Sequence, residues 1–146
     1  MIGGIIVWAF HNHNATTKNK IIHKSNDLIQ YLGDYWEIEL EDYAEDAEGE
    51  VEMYDDEEDG GVIKVKIRME YEETVLELLK NNLIKIKGNP YDRVPPFPSN
   101  SLVSEVETKE WKYTFWCTRV GKYAKTRILY AFVTYDNYGM YIYFWE

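Results

Sequence analysis

The residue types in this chain that could do chemistry are mainly carboxylates, and most of them lie in one segment. Fifteen acids occur among the twenty-six residues from 34 to 59, and no lysine or arginine occurs from Ser25 to Ile63. This acidic segment therefore carries −15, whereas the other residues carry +5 and the whole chain −10. Carboxylates this close together repel one another unless positive groups lie near them. The balancing charge must come from the protein's own basic residues or from a basic partner.

Internal balance is the first alternative. Glu50 and Glu52 are predicted to lie on one strand of a hairpin. Lys64, Lys66 and Arg68 are predicted to face them from the other strand, where each opposite pair contributes about 0.2–1 kcal/mol. These basic residues are too few to neutralise fifteen acids, and the surplus is expected at the turns. The acids predicted to bind a partner are Glu41, Asp42, Glu45, Asp46, Glu48, Asp55, Asp56, Glu57, Glu58 and Asp59.

Imitation of nucleic acid is the second alternative. Duplex DNA presents one phosphate per ~3.4 Å of axis on each strand. Alternate residues of a β-strand repeat every ~6.6 Å, and neighbouring strands lie ~4.8 Å apart. A single row of acids is therefore too sparse, but two adjacent acidic strands with acidic turns approach phosphate density. Such a surface would attract proteins built to bind DNA or RNA.

The acidic segment also contains part of a calcium motif. Asp55, Glu57 and Asp59 provide oxygen ligands at the first, third and fifth positions of an EF-hand loop, and Gly60 occupies the sixth. Position twelve requires a bidentate glutamate, but this chain has Lys66 there. Strands are also expected around the loop in place of two helices. The sequence predicts no metal site, and metal binding by a loose acidic loop is the third alternative.

Other metal-binding and nucleophilic residue types are sparse. His11 and His13 lie two residues apart and His23 ten residues further on, which matches no recognised metal motif. Cys117, the single cysteine, lies in an apolar run and is predicted to be a buried small hydrophobic residue. No phosphate-binding loop, dinucleotide fingerprint, nucleophile elbow or zinc-protease helix occurs. The sequence therefore predicts no catalytic residue, no cofactor and no enzyme activity.

Basic residues are interleaved with aromatic residues late in the chain. Six basic residues from Lys109 to Arg127 alternate with Trp111, Tyr113 and Tyr123. Such a patch can bind nucleic acid by stacking and charge, but the net charge of −10 disfavours it. No direct nucleic-acid binding is therefore predicted. The patch also suits pairing with the acidic segment, within one molecule or between two copies, so a homodimer is an alternative.

The elements that must position these residues are predicted from apolar spacing, which is two in strands and three to four in helices. The predicted strands are residues 2–10, 35–43, 50–54, 62–69, 83–87, 102–108, 110–118, 126–135 and 140–145. The predicted helices are 26–32, capped by Ser25 and ended by Gly33, and 72–82. The predicted turns and loops are 44–49, 55–61, the proline-rich 88–101 and the hairpin turn 136–139. These elements indicate an α+β fold, a mostly antiparallel β-sheet with two helices.

Length and hydropathy indicate how many domains the chain forms and whether it could span a membrane. A chain of 146 residues is expected to form one domain, residues 1–146, with a substantial core. The apolar start spans about ten residues, whereas a membrane-spanning helix needs ~20. A soluble, cytoplasmic protein without a membrane partner is therefore expected.

Composition supports a hypothesis about function. A small, acidic, aromatic-rich chain without a catalytic motif is similar in composition to the DNA-mimicking inhibitors made by phages and other viruses. This similarity implies a protein that blocks a basic nucleic-acid-binding protein, such as a restriction or CRISPR effector. An immunity-type antitoxin for a basic toxin is the alternative, and a metal-dependent hydrolase is a third.

Overall fold

The computed structural model describes residues 19–54, 57–85, 111–121 and 125–146, and they form one seven-stranded sheet with two helices. The elements are β1 (Asn19–Ile22), α1 (Ser25–Trp36), β2 (Ala44–Tyr54), β3 (Glu57–Ile67), a 3-10 turn (Met69–Tyr71), α2 (Glu72–Asn82), β4 (Ile84–Lys85), β5 (Tyr113–Val120), β6 (Thr126–Asp136) and β7 (Gly139–Trp145). The strand order is β1-β2-β3-β7-β6-β5-β4, and every neighbouring pair is antiparallel. The predicted α+β fold is confirmed.

The sheet has two different faces. On the helix face, residues that lie opposite one another across successive strands, such as Ala47, Val65, Ile142 and Val133, are buried with the apolar sides of α1 and α2. The outer face carries a second, aromatic cluster of Val62, Phe132, Tyr143 and Trp145, against which Trp111, Tyr130 and Tyr141 pack. Strands buried on both faces lose the simple apolar–polar alternation, which is why β6 and β7 are apolar over most of their length.

Helix α1 is longer than predicted at its C-terminal end. Ser25 is its first residue but not its cap, because the Ser25 hydroxyl accepts a hydrogen bond from the Ala47 N–H at 3.0 Å and ties α1 to β2. Gly33 does not end the helix, which continues to Trp36 and stops at Glu37 in the left-handed conformation, with φ 58°. The contacts of Trp36 with other parts of the fold extend the helix past its glycine.

Residues 35–43 were predicted to form a strand and do not, but the apolar residues predicted to be buried there are buried. Its first two residues belong to α1, residues 37–40 pair with no described strand, and residues 41–43 form a turn. Ile38 and Leu40 are nevertheless buried, while Glu37 and Glu39 are exposed. Alternation indicates an extended backbone with one covered side, and it does not require a neighbouring strand.

The hairpin of β2 and β3 also differs from expectation. The predicted turn at 44–49 is the first half of β2, and most of the predicted loop at 55–61 is the start of β3. The reason is that the glycines lie within the strands, where the two backbones come close, and not in a turn. A Cβ on Gly49 would lie 2.0 Å from the Val62 carbonyl oxygen, and one on Gly61 2.2 Å from that of Glu50. These glycines allow the two strands to approach closely, and they mark a bent ladder.

The other predicted elements agree with the structure where it describes them. Helix 72–82 has the predicted bounds, and the strands at 110–118, 126–135 and 140–145 correspond to β5, β6 and β7. The hairpin turn at 136–139 is present, and the predicted strand at 83–87 is the two-residue β4. The predicted segments 2–10, 88–101 and 102–108 lie outside the described residues. No helix in the described part of the chain is long and apolar enough to cross a membrane.

Candidate functional site

Four acids form a row along the outer face of β2. Asp46, Glu48, Glu50 and Glu52 occupy alternate positions and are all exposed. Because β2 is a continuous strand, these carboxylates project from one face at a repeat of ~6.6 Å. We call these four residues the acidic row.

Two lysines of β3 compensate part of this charge. The Lys64 ammonium lies 3.4 Å from a Glu48 carboxylate oxygen, and the Lys66 ammonium 3.5 Å from one of Glu45. The predicted pairing of Glu50 and Glu52 with Lys64, Lys66 and Arg68 is wrong, because Glu50 lies opposite Val62 and Glu52 opposite Gly60. The register places Glu48 opposite Lys64 and Asp46 opposite Lys66, and it shifts between Glu52 and Met53.

These ion pairs are weak constraints on the acids. The Glu48 side chain is 59% exposed and that of Glu45 53%, and pairs of such exposed charges contribute about 0–1 kcal/mol. The Lys64 ammonium also lies 5.1 Å from the Tyr141 ring centroid and 5.6 Å from that of Tyr143. Lys64 is therefore held by the aromatic outer face as well as by Glu48, and Glu48 is a replaceable partner.

The predicted partner-binding acids are distributed differently from expectation. Glu41 and Asp42 lie in the turn before β2, as predicted, but Glu45, Asp46 and Glu48 lie on the strand itself. Residues 57–59 are the first residues of β3, and residues 55–56 lie outside the described part of the chain. Two adjacent acidic strands were expected, but opposite Asp46 and Glu48 the neighbouring strand β3 carries Lys66 and Lys64, and its acids are confined to its first residues, 57–59.

Acids continue from the acidic row toward the helix side. A polar cleft of about 600 Å³ lies between α1 and the start of β2, and its walls include Asp34, Glu39, Glu41 and Glu45. Arg68 is the basic residue in this wall. The start of β2 therefore has carboxylates on both sides of the strand.

A buried ionic cluster, which sequence patterns did not indicate, lies on the helix face. The Glu146 side chain is 3% exposed. One of its oxygens accepts hydrogen bonds from the Tyr31 hydroxyl at 2.6 Å and from the Trp36 indole N–H at 2.8 Å. Its other oxygen lies 3.6 Å from the guanidinium of Arg127, which is itself 14% exposed. Neither partner from α1 is near Glu146 in sequence, so spacing could not reveal the cluster.

Burial dominates the titration of this cluster. Burial raises the pKa of the Glu146 carboxyl above its ordinary value, although the two hydrogen bonds and the nearby arginines act in the opposite direction. Burial, and then the charge of Glu146, raise the pKa of the Tyr31 hydroxyl. The same two causes raise the pKa of Cys117 to about 11, so its thiol is protonated at neutral pH. Cys117 is half-buried against the core, in less complete burial than predicted.

The basic–aromatic patch does not form one surface. Arg119 and Arg127 lie opposite each other on the helix face, and the Arg119 guanidinium stacks over the Trp36 ring at 4.9 Å. Trp111 packs against the outer face, with its ring centroid 5.2 Å from that of Phe132. Residues 109 and 122–124 lie outside the described part of the chain. The described arginines and Trp111 are therefore on opposite sides of the sheet.

Metal-ligating residue types do not converge in the described part of the chain, where no group of three or more histidine, cysteine or carboxylate side chains could hold an ion. The acidic row is an open surface of separated charges. The chain matches no protein-family model, and no curated protein or solved structure matches it either.

Proposed function

We propose that this protein is an acidic binding protein whose carboxylate-rich surface mimics nucleic acid and blocks a nucleic-acid-binding protein. The observation that carries the proposal is the acidic row together with the acids beside it, in the turn before β2 and in the cleft wall next to α1, because one row alone is sparser than the phosphates of DNA. A rigid strand presents these charges in fixed positions, so a basic groove can meet them without ordering a flexible chain.

The length of the acidic surface supports this proposal. Acids lie at both ends of β2, with Glu45 near one end and residues 57–59 beside the other. The nine residue steps from Glu45 to Tyr54 span about 30 Å at strand geometry. One helical turn of duplex DNA measures about 34–36 Å. A groove shaped for one turn of DNA therefore matches the acidic surface in length.

The charge that remains after internal pairing also supports it. The lysines of β3 pair with Glu45 and Glu48, and no ion pair links Asp46 or Glu50 to another described residue. A basic partner could engage these carboxylates directly. Fast, salt-sensitive association is expected for such a surface.

The test is capture of the partner from a cell lysate by the immobilised protein at about 50 mM salt, with release at about 200 mM. A variant carrying Asp46→Lys and Glu50→Lys should lose the captured protein. A variant carrying Glu70→Lys and Glu77→Lys changes the net charge equally at exposed sites near and on α2, and it should retain capture.

Competition then distinguishes the proposed function from neutralisation of a toxin that acts on other targets. The captured protein should bind duplex DNA or RNA by itself, and added wild-type protein should release that nucleic acid. A captured protein without nucleic-acid binding, or equal capture by both double variants, would refute the proposal.

A further inference from the structure

One strand near an edge of the sheet is only partly paired by the residues that the structure describes. β5 pairs with β6 along its whole length, from Tyr113 to Val120. On its other side, the described residues of β4, Ile84 and Lys85, pair with Trp116 and Phe115. Among the described residues, no strand pairs with β5 from Cys117 onward on that side. A strand edge of this kind can accept an extended peptide as an additional strand.

The backbone groups of this edge point in a defined direction. The Gly121 N–H donates to the Lys125 carbonyl oxygen at 2.8 Å, so these opposite residues form a hydrogen-bonded pair of the β5–β6 register. Hydrogen-bonded and non-hydrogen-bonded pairs alternate along an antiparallel ladder. The N–H and C=O groups of Thr118 and Val120 therefore point away from β6, toward the open side. Both residues are exposed, Val120 to 71%.

An open cleft of about 460 Å³ runs beside this edge. It is lined by residues 34–37 at the end of α1, by residues 82–83 after α2, and by residues 117–120 of β5. Asp34 and Glu37 are exposed and place negative charge on the helix-face wall. Arg119 also lines the cleft, where its guanidinium stacks on Trp36 and acts electrostatically on buried Glu146. Asp34 and Glu37 outnumber this one positive charge, so the described lining of the cleft is net negative.

The other face of the same edge is apolar. Ile84 is 56% exposed and lies opposite Trp116 on the outer face, and Val120 follows on that face of β5. A strand added at this edge would place alternate side chains beside these apolar groups. Its remaining side chains would face Asp34 and Glu37.

We propose that the open edge of β5 from Cys117 to Val120 binds an extended basic segment of a partner protein, in which basic residues alternate with apolar ones. The basic side chains face the carboxylates of Asp34 and Glu37, and the apolar side chains cover Val120 and Ile84. The peptide backbone pairs with Thr118 and Val120. This site lies four strands from β2, about 19 Å across the sheet. Asp34 also lines the polar cleft beside the start of β2, whereas Glu37 and the pairing edge of β5 are separate from the acidic row.

Alternate backbone methylation tests strand addition without altering the protein. The probe is a labelled heptapeptide with lysine at odd and valine at even positions, and its binding to the full chain is measured by fluorescence anisotropy. N-methylation of the valines removes the amides that would pair with an antiparallel β5, and it should weaken binding about tenfold or more. N-methylation of the lysines should leave binding unchanged.

Weaker binding by only one of the two N-methylated peptides supports strand addition. If that peptide is the one methylated at its lysines, the added strand is parallel to β5. No binding of the parent peptide, or equal effects of the two sets, would overturn the proposal. A glutamate-for-lysine peptide that binds as well as the parent would overturn its charge selectivity, and with it the proposed partner class.

Charge variants locate the site. Asp34→Asn with Glu37→Asn should weaken binding of the lysine peptide several-fold, because asparagine keeps the left-handed conformation of residue 37 and removes the charge. Asp46→Asn with Glu50→Gln alters the acidic row by the same charge and should leave peptide binding unchanged. The opposite pattern would place the peptide on the acidic row and refute this site, while leaving the proposed function standing.

Discussion

At the scale of single residues, Glu146 is a buried carboxylate whose hydrogen-bond donors both come from α1. Its carboxylate is almost completely buried and accepts two short hydrogen bonds from α1. A buried charge that loses its partners is strongly destabilising, whereas the pair itself adds little net stability. The cluster therefore fixes how α1 docks on the last strand more than it adds to the free energy of folding.

The pH dependence of stability should reveal the buried carboxyl. Its folded-state pKa is raised above the ordinary value of 4.5, so the folded state retains the proton more strongly than the unfolded state. Stability from this group is present below pH 4.5 and is lost as pH rises through the folded-state pKa. Glu146→Gln cannot titrate, so the stability of wild type relative to this variant should decrease as pH rises above 4.5.

Urea unfolding at a series of pH values measures this difference. Glu77→Gln, at an exposed site, is the matched control. A wild-type advantage over Glu146→Gln that grows with pH would contradict the assignment of burial as the dominant effect.

Loss of the tyrosine donor should destabilise the fold. Tyr31→Phe removes the 2.6 Å hydrogen bond to Glu146 and leaves a buried carboxylate with one donor fewer. Hydrogen bonds to charged groups contribute about 1.5–3 kcal/mol, so a loss of that size in the free energy of unfolding is expected. Tyr138→Phe, at a residue 76% exposed, should change stability by less than about 0.5 kcal/mol. Equal effects of the two substitutions in chemical denaturation would show that the cluster has no role in stability.

At the scale of elements, the β2–β3 hairpin depends on glycines that let backbone meet backbone. Gly49 has φ +129°, and its absent side chain leaves room for the Val62 carbonyl. Gly33, in contrast, lies inside α1 and faces the carboxylate of Glu39, the end of an exposed side chain. The same residue type therefore has opposite consequences in the two elements.

Alanine substitution should lower the stability of the fold at Gly61 and raise it at Gly33. Gly61→Ala would place a Cβ 2.2 Å from the Glu50 carbonyl oxygen, and separating the strands should cost at least about 1–3 kcal/mol. Gly33→Ala meets the movable Glu39 side chain at 3.1 Å and gains helix propensity, so it should stabilise by up to about 1 kcal/mol. Thermal and urea unfolding measure both. Destabilisation by Gly33→Ala larger than that by Gly61→Ala would contradict the packing at these positions.

At the scale of the whole molecule, acidic and basic residues are separated along the sequence, but the fold brings some of them together. The acidic segment carries −15 and the rest +5. β3 brings Lys64 and Lys66 next to the acidic row, while Arg119 and Arg127 are directed to buried Glu146. The surface that remains at β2 and its flanking turn is negative.

The protein alone should not bind nucleic acid. Phosphates are repelled by the acidic surface over a Debye length of about 8 Å at physiological salt. In a mobility-shift assay at about 100 mM salt, neither duplex nor single-stranded DNA should shift. The double variant Asp46→Lys, Glu50→Lys is the informative comparison, since a weak shift by it alone would show that the row causes the repulsion. A sub-micromolar shift by the wild-type protein would reject the mimic hypothesis and favour the basic residues from Lys109 to Arg127.

The sequence by itself determined the fold class, helix 72–82, three C-terminal strands and their hairpin turn, because apolar periodicity and turn residues are local signals. It also determined that Ile38 and Leu40 are buried and that the acids of β2 are exposed. Only the tertiary structure decided that α1 runs past Gly33, to Trp36, which donates a hydrogen bond to Glu146 and stacks against Arg119, both distant in sequence. The strand register likewise decided that Lys64 meets Glu48, since side chains meet where the ladder places them opposite each other. Glu146 could not be assigned from sequence because its hydrogen-bond donors, Tyr31 and Trp36, lie more than a hundred residues away, and only folding brings them within hydrogen-bond distance.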